Sequence, residues 1–293
     1  MPAATDTQKL EENTPGGRKL YEFSFTSEDF QYIRNLIYQV AGISLAASKK
    51  DLIYSRLARR LRALQIDSFS GYIQHLETGD MQEREEFTNA LTTNMTSFFR
   101  EAHHFQILST FLGALAQSKP INIWTCASST GEEPYSIAMT VVDHFKSFNT
   151  PVRILATDID TKVLAKARLG LYTLEQLQTL TTDQIRRFFL KGCGKNDGLA
   201  KVRPELQRMI TFDRFNLLHG SWGMRGKFDA VFCRNVMIYF DKNTQREILK
   251  KMQSCLQPHG LFFAGHSENF HHAADLFKVH GKTVYTPKMR PEI

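Results

Sequence analysis

From Ile121 onward, short apolar segments alternate with helical ones, and this alternation restricts the chain to an α/β architecture. Ile121 to Cys126 has strand character, Tyr135 to Phe145 is helical, and Val152 to Thr157 is a second strand ending in Asp158. A helix from Thr161 to Arg168 follows, then strands at Ile210 to Phe215 and Phe228 to Cys233. A helix at Thr244 to Leu256, a strand at Leu261 to Gly265 after the Pro258-His259-Gly260 turn, and a last strand at Lys282 to Thr286 complete the series. Strands separated by helices form a mostly parallel, doubly wound sheet covered on both faces. Leu171 to about Met209 interrupts the alternation. It holds a helix near Thr182 to Leu190 and the glycine-rich run Gly192-Cys193-Gly194-Lys195-Asn196-Asp197-Gly198. Its length makes it a lid or a small subdomain.

The preceding segment carries no strand signal. In Phe23 to about Ala90, Ser27 precedes Glu28, Asp29, Phe30, Ile33, Leu36, Ile37 and Val40, a cap followed by apolar residues at helical spacing, with Gly42 at the end. Further helices are expected from about Ser48 to Leu64, at Phe69 to Leu76 and from near Met81. This predicts an all-helical domain over residues 22–90, after a polar, disordered tail over residues 1–21, and a sheet domain over 91–293 with its insertion at about 171–209.

An apolar fraction of 42% and a charged fraction of 23% are those of an ordinary soluble protein. The longest apolar runs, such as Phe228 to Val231, fall far short of a bilayer span, so no membrane insertion is expected. Cys126, Cys193, Cys233 and Cys255 form no C-x-x-C pair and read as reduced thiols of a cytoplasmic protein. The histidines show no H-x-x-x-H or H-x-H spacing, so no metal is expected. The net charge of +7 favours an acidic partner: nucleic acid, a membrane or an acidic protein surface.

The first strand of the sheet leads into Cys126-Ala-Ser-Ser-Thr-Gly-Glu-Glu-Pro-Tyr-Ser136. The turn after the first strand of a doubly wound sheet lies where ligands bind. A dinucleotide site would need G-x-G-x-x-G there. This turn offers Gly131 alone, then Glu132 and Glu133, which repel a pyrophosphate but suit a cation. S-adenosylmethionine fits, being cationic at its amino group and sulfonium. The second strand ends in Asp158-Ile-Asp160, where an acid can accept ribose hydroxyls. The same acids also serve as ordinary helix-start and strand-end residues.

Five strings carry a resemblance. Thr93-Asn-Met-Thr-Ser-Phe-Phe-Arg100-Glu101, Ser129-Thr-Gly-Glu-Glu-Pro-Tyr-Ser136, Ala156-Thr-Asp-Ile-Asp160, Phe228-Asp-Ala-Val-Phe-Cys-Arg-Asn-Val-Met-Ile-Tyr-Phe240 and Gly265-His-Ser-Glu-Asn-Phe270 closely resemble the CheR family of chemotaxis receptor methyltransferases. The resemblance covers about residues 22 to 287. It implies a class I, Rossmann-like methyltransferase domain with a small inserted β-subdomain, preceded by an all-α domain. It implies S-adenosylmethionine as cofactor, S-adenosylhomocysteine as product, and glutamate carboxylates of receptor methylation helices as substrate. Implied cofactor contacts fall on Asn94, Thr96, Arg100, Glu133, Asp158, Asn216, Leu217, Arg234 and Asn235, and Tyr239 matches the tyrosine beside the transferred methyl. An ionised carboxylate needs no strong base, so Arg100 and Tyr239 are expected to act by positioning.

The second helix carries Lys49, Lys50, Arg56, Arg59, Arg60 and Arg62, with Lys49, Arg56, Arg59 and Arg60 on one face. On sequence alone this is a solvated face or a docking surface. The resemblance favours recognition of acidic receptor helices by Arg56, Arg59 and Arg60. Gly192-x-Gly194-x-x-x-Gly198 resembles the loop of family members that bind a receptor C-terminal pentapeptide, with Lys191 and Lys201 where arginines are usual. A glycine-rich hairpin turn is the plainer reading. A methyltransferase acting on nucleic acid and a non-catalytic signalling module are the alternatives. The first would be expected to show an N/D-P-P-Y/F strand end where this chain has Arg234-Asn-Val-Met-Ile-Tyr239, and no nucleic acid partner is expected. A cytoplasmic monomer working at receptor arrays is the overall expectation.

Overall fold

The computed structural model describes residues 21–115, 120–224 and 226–288, so the polar tail expected over 1–21 lies outside it except for Tyr21. The helical domain comprises α1 (Ser27–Ala41), α2 (Lys50–Leu64), α3 (Phe69–Glu77) and α4 (Met81–Leu91). The cap of α1 is Thr26, one residue before the one expected: its hydroxyl accepts from the Asp29 N–H at 3.1 Å, and Asp29 accepts from the Thr26 N–H at 2.9 Å. Each helix turns its apolar stripe inward, so Ile33, Ile37, Ile53, Leu57, Leu61, Phe69, Tyr72, Leu76 and Phe87 form one core.

The sheet domain follows with α5 (His103–Ala114), for which no element was expected, then β1 (Ile121–Thr125), α6 (Glu132–Phe145), β2 (Val152–Asp158) and α7 (Thr161–Leu169). The insertion contains β3 (Leu171–Thr173), α8 (Thr182–Phe188), β4 (Phe189–Lys191), β5 (Leu199–Val202) and α9 (Pro204–Gln207). The main sheet resumes with β6 (Ile210–Arg214), β7 (Phe228–Cys233), α10 (Lys242–Cys255), β8 (Leu256–Ala264), β9 (Phe277–Gly281) and β10 (Val284–Pro287). Strand order is β6-β2-β1-β7-β8-β10-β9, parallel through β8, with β10 antiparallel to both neighbours. The Pro258-His259-Gly260 turn is absorbed as an irregularity within β8, whose pairing jumps from Phe228↔Leu256 to Ala230↔Leu261. β9 escaped the sequence reading because Lys278, Val279 and His280 are exposed on an edge strand and show no apolar alternation.

The period of two along the strands separates two cores. Ile123, Ile154, Ala230, Phe232 and Phe263 face α5 and α6, whereas Trp124, Val231, Cys233 and Phe262 face α10. The insertion forms a separate antiparallel sheet, β3-β5-β4. Its Tyr172 hydroxyl donates to the Thr130 carbonyl at 2.7 Å, beside the turn after β1.

The two domains touch through specific polar contacts. Tyr38 donates to Asp241 at 2.6 Å, the Ser44 N–H donates to the Tyr239 carbonyl at 2.8 Å, and Asn216 donates to the Val40 carbonyl at 2.7 Å. Gly42, at φ +70°, lies where a Cβ would come within 2.9 Å of Leu218 and 3.0 Å of Phe240. Inside the helical domain, Arg60 grips Glu83 of α4 through Nε at 3.1 Å and Nη2 at 2.5 Å, and reaches Glu86 at 3.2 Å. Glu83 is 3% exposed and also accepts from the Tyr72 hydroxyl at 2.7 Å. Arg60→Met therefore strands a buried carboxylate and should cost about 3 kcal/mol in urea denaturation, most of it recovered in Arg60→Met/Glu83→Gln. A single variant as stable as wild type would show that the pair contributes nothing.

Candidate functional site

The carboxyl ends of β1, β2, β6 and β7 and the loop after α1 enclose a cavity of about 500 Å³, within the range of small-molecule sites. A linker, Thr92 to Arg100, crosses the strand ends and closes one side. Its placement follows from hydrogen bonds to both domains. Arg56 of α2 donates to the carbonyls of Leu91 and Thr92 at 2.9 and 2.7 Å and to Thr93 at 3.2 Å. On the other side, Thr92 and Asn94 both donate to Asp160 at 2.7 Å, and Ser129 donates to the Asn94 carbonyl at 2.9 Å. Asp160 also caps α7 through the N–H groups of Lys162 and Val163 at 2.9 and 3.2 Å.

The turn after β1 needs its glycine twice. Gly131 sits at φ +102°, and a Cβ there would fall 2.7 Å from the Tyr172 hydroxyl and 3.0 Å from Ala167. The two glutamates that follow diverge. Glu133 lines the cavity, accepting from Thr125 at 2.6 Å and from Arg234 at 2.7 Å. Glu132 turns away, accepts from Thr130 at 2.6 Å, and is held above the usual carboxylate range by burial. Only one of the two glutamates therefore faces a ligand, and Arg234 offsets its charge, so this turn is less anionic than a paired-glutamate reading implies.

Arg234, 2% exposed at its side chain, joins the site's parts. Besides Glu133 it donates to the Arg100 carbonyl and lies 3.5 Å from Glu101. Glu101 in turn accepts from the His266 N–H at 3.1 Å. The Arg100 guanidinium donates to the Met95 carbonyl at 3.1 Å and borders the cavity, leaving other N–H groups of its fork available.

Asp158 ends β2 with its carboxylate buried. Oδ2 accepts from the Ser129 N–H at 2.8 Å and Oδ1 from the Asp160 N–H at 3.0 Å, leaving further lone pairs toward the cavity. Burial pushes its pKa up to about 6 against these hydrogen bonds. Asn216 and Leu217 after β6, and Asn235 and Tyr239 after β7, complete the lining with Thr96 from the linker. All ten expected cofactor and methyl-side residues thus border one cavity. The donor set fits a nucleoside carrying an amino acid: an acid for ribose hydroxyls, amide and hydroxyl groups for polar ends, and an apolar floor at Cys126, Phe215 and Leu217.

The basic face of α2 is rearranged by tertiary partners. Arg56 is spent on the linker and borders the cavity, and Arg60 is spent on α4. Arg59 stays exposed, with Lys49 exposed at the cavity rim. Sequence periodicity could assign a face but not the acids that other helices bring to it. In the insertion, Gly194 and Gly198 take φ of +58° and +82°, and at Gly192 a Cβ would fall 2.0 Å from the Asn196 carbonyl. Lys191 is registered with Ala200 and Lys201 with Leu190, so the two exposed lysines project to opposite faces of the small sheet. The site residues missed were Ser129, Asp160 and Glu101. The cap pattern Asp160-Thr-Lys-Val163 was visible in the sequence, but its link to the linker was not. Glu101, His103 and His104 have ligand atoms within 4.8 Å of one another, the described cluster closest to a metal-binding arrangement. Arg234 lies 3.5 Å from this glutamate, which disfavours a cation there.

Residues 94–286 match the CheR methyltransferase SAM binding domain, and residues 28–92 match the CheR methyltransferase all-alpha domain. A chemotaxis protein methyltransferase 2 of Pseudomonas aeruginosa is 52% identical over 267 residues, covering 91% of this chain and 95% of that protein. The chemotaxis protein methyltransferases of Salmonella typhimurium and Escherichia coli are 50% and 49% identical over 257 residues, covering 87% of this chain and 88% and 89% of those proteins.

Because the folded Asp158 holds its proton up to about pH 6, against 3.8 for an ordinary aspartate, the folded state binds more protons than the unfolded one between these values. Its contribution to stability is present at low pH and is lost as pH rises through 6. The wild-type protein should lose up to about 3 kcal/mol by this route between pH 4 and 6.5. Asp158→Asn should lack that component, and a wild-type-minus-variant difference that stays flat across the window would contradict the assignment.

Proposed function

The chain belongs to the CheR family of chemotaxis methyltransferases and is an S-adenosylmethionine-dependent methyltransferase, and on that premise we propose that it esterifies glutamate side chains of chemoreceptors. The single observation that supports this assignment best is the one cavity, open between the helical domain and the strand ends, into which linker, sheet and α1 loop all contribute. The methyl donor supplies an electrophilic carbon on a sulfonium, with S-adenosylhomocysteine as the product. The protein's part is to hold, orient and exclude water. Asp158 accepts ribose hydroxyls, Asn94, Thr96 and Asn216 bind polar groups, and Leu217 packs against the base.

On the reacting side, a glutamate carboxylate is already an anion at neutral pH and needs no base. Arg100 holds a carboxylate through its free N–H groups, and Tyr239 orients the attacking oxygen through its hydroxyl. Of the two carboxylates that border the cavity, Glu133 is tied to Thr125 and Arg234, and Asp158 is the one assigned to the ribose hydroxyls, which leaves neither for use as a base. This favours an already ionised acceptor over an amine or hydroxyl that would have to lose a proton. Exposed Arg59, with Lys49 at the rim, suits an acidic receptor helix by long-range attraction.

A second, tethering contact is part of the proposal. β4 and β3 are the outer strands of the inserted sheet, and an extended peptide from a receptor C-terminus can add to such an edge. Lys201, beside Leu190 and Leu171 on the exposed face, is the basic residue available on that side, while Lys191 faces the other. The tether raises local concentration without changing the chemical step. Calorimetry with receptor C-terminal pentapeptides tests it, and silence from every peptide removes the tether.

Incubation with radiolabelled methyl donor and receptor-containing membranes should give base-labile label on receptor and none on nucleic acid. Label stable to base, or confined to nucleic acid, would overturn the glutamate assignment. Arg59→Glu should slow receptor methylation several-fold, in a salt-dependent way, at unchanged cofactor affinity. If Asp158 accepts ribose hydroxyls as an anion, ligand binding rewards its charged form, the reverse of folding. S-adenosylhomocysteine affinity should therefore rise with pH through about 6 and fall ten- to a hundred-fold in Asp158→Ala, about 1.5–3 kcal/mol by calorimetry. Unchanged affinity would remove Asp158 from the site.

A further inference from the structure

The motif Gly265-His-Ser-Glu-Asn-Phe270 lies next to the site, yet no residue of it from His266 onward borders the cavity. Within it, His266, Ser267 and Asn269 are exposed, while Glu268 is 4% exposed. A buried carboxylate is retained only where hydrogen bonds satisfy it. Here backbone N–H groups from two strand ends do so. Oε2 accepts from Asn235 at 3.0 Å and from Gly265 at 2.5 Å, and Oε1 accepts from Met237 at 2.8 Å.

The two strand ends are neighbours, because β7 and β8 pair in parallel with Cys233 opposite Ala264. Their loops emerge side by side at the cavity. Asn235 is held at φ +58°, a conformation that non-glycine residues seldom adopt without local support. A Cβ at Gly265 would fall 2.4 Å from the Asn235 side-chain nitrogen and 2.8 Å from its backbone nitrogen, so the two loops meet backbone to side chain. Glu268 supplies the support. It fixes the amides on both sides of the left-handed turn, and with them the direction of the segment running to Tyr239.

We infer that Glu268 is a positioning residue for methyl transfer: its buried carboxylate clamps the loop after β7, and so sets where the Asn235 side chain and the Tyr239 hydroxyl stand. It touches neither donor nor acceptor and acts only through those two. The inference rests on the roles proposed for Asn235 and Tyr239. The kcat losses of Asn235→Ala and Tyr239→Phe relative to wild type test those roles, and the ratio of Glu268 variants to wild type tests Glu268.

Glu268→Gln keeps the shape, but either amide orientation sets an NH₂ group against at least one backbone N–H. The full-length variant should bind S-adenosylhomocysteine three- to ten-fold more weakly and show a ten- to a hundred-fold lower kcat, with KM for receptor within two-fold. Glu268→Asp keeps the charge, withdraws the acceptor by one methylene, and should show the same split. Assays run below each variant's unfolding transition, established by circular dichroism. A folded Glu268→Gln protein with wild-type kcat and ligand affinity would overturn the proposal. So would a failure of both variants to fold, which would assign Glu268 to the stability of the domain instead.

Discussion

One buried guanidinium holds the site together. Arg234 leaves the end of β7 and reaches Glu133 at the start of α6, the Arg100 carbonyl of the linker, and the neighbourhood of Glu101. Burying such a charge is costly unless each neighbour is well placed, and the interior then amplifies every one of these contacts. The consequence is mutual dependence. The turn after β1, the linker and the loop after β7 cannot shift separately without exposing a buried charge, so the cavity they border is set by the fold before any ligand arrives.

The linker is where the two domains become one site. Arg56 of the helical domain pins its first carbonyls, while Asp160 and Ser129 of the sheet domain hold Thr92 and Asn94. The contacts of Ser44, Tyr38 and Val40 then bring the helical domain over the same opening. On the proposed reading, a receptor helix docked on this domain would be held at a fixed distance from the strand ends. That geometry matters more than acid–base strength for an acceptor that is already ionised. The basic face expected on α2 is largely structural: of Arg56, Arg59 and Arg60, two have their forks engaged inside the protein.

Local patterns were legible in the sequence and long-range partners were not. The helices of the first domain followed from apolar spacing and caps, and the parallel sheet from strand–helix alternation, because both signals repeat within a few residues. The edge strand β9 was hidden, since its side chains meet solvent. The ten expected residues, all of which border the cavity, were assigned through resemblance to a family, Asn216 and Leu217 by their position after β6. The turn after β1 and Asp158 pointed to a cationic nucleoside by their chemistry, whereas Arg234 and Tyr239 alone would have passed as a strand-end arginine and a half-buried tyrosine. Arg60 shows why the remainder was hidden. Its spacing placed it on a basic face, while Glu83, which neutralises it, lies 23 residues away on another helix. Glu132 and Glu133 make the same point at close range: adjacent in sequence, they face opposite surroundings.

The claim that the site is preassembled has a direct reporter in the Phe99 amide, which donates to the Ser136 hydroxyl of α6 at 2.9 Å near the end of the linker. Hydrogen exchange of that amide should be measured in the ligand-free wild-type protein and in Arg234→Met. The account predicts that in the wild type Phe99 exchanges with an opening free energy close to that of the β1 and β7 amides, and that S-adenosylhomocysteine adds little protection. In Arg234→Met, the same amide should exchange many-fold faster while the sheet stays protected. Loop-like exchange of Phe99 in the free wild-type protein, with protection appearing only on ligand binding, would contradict it.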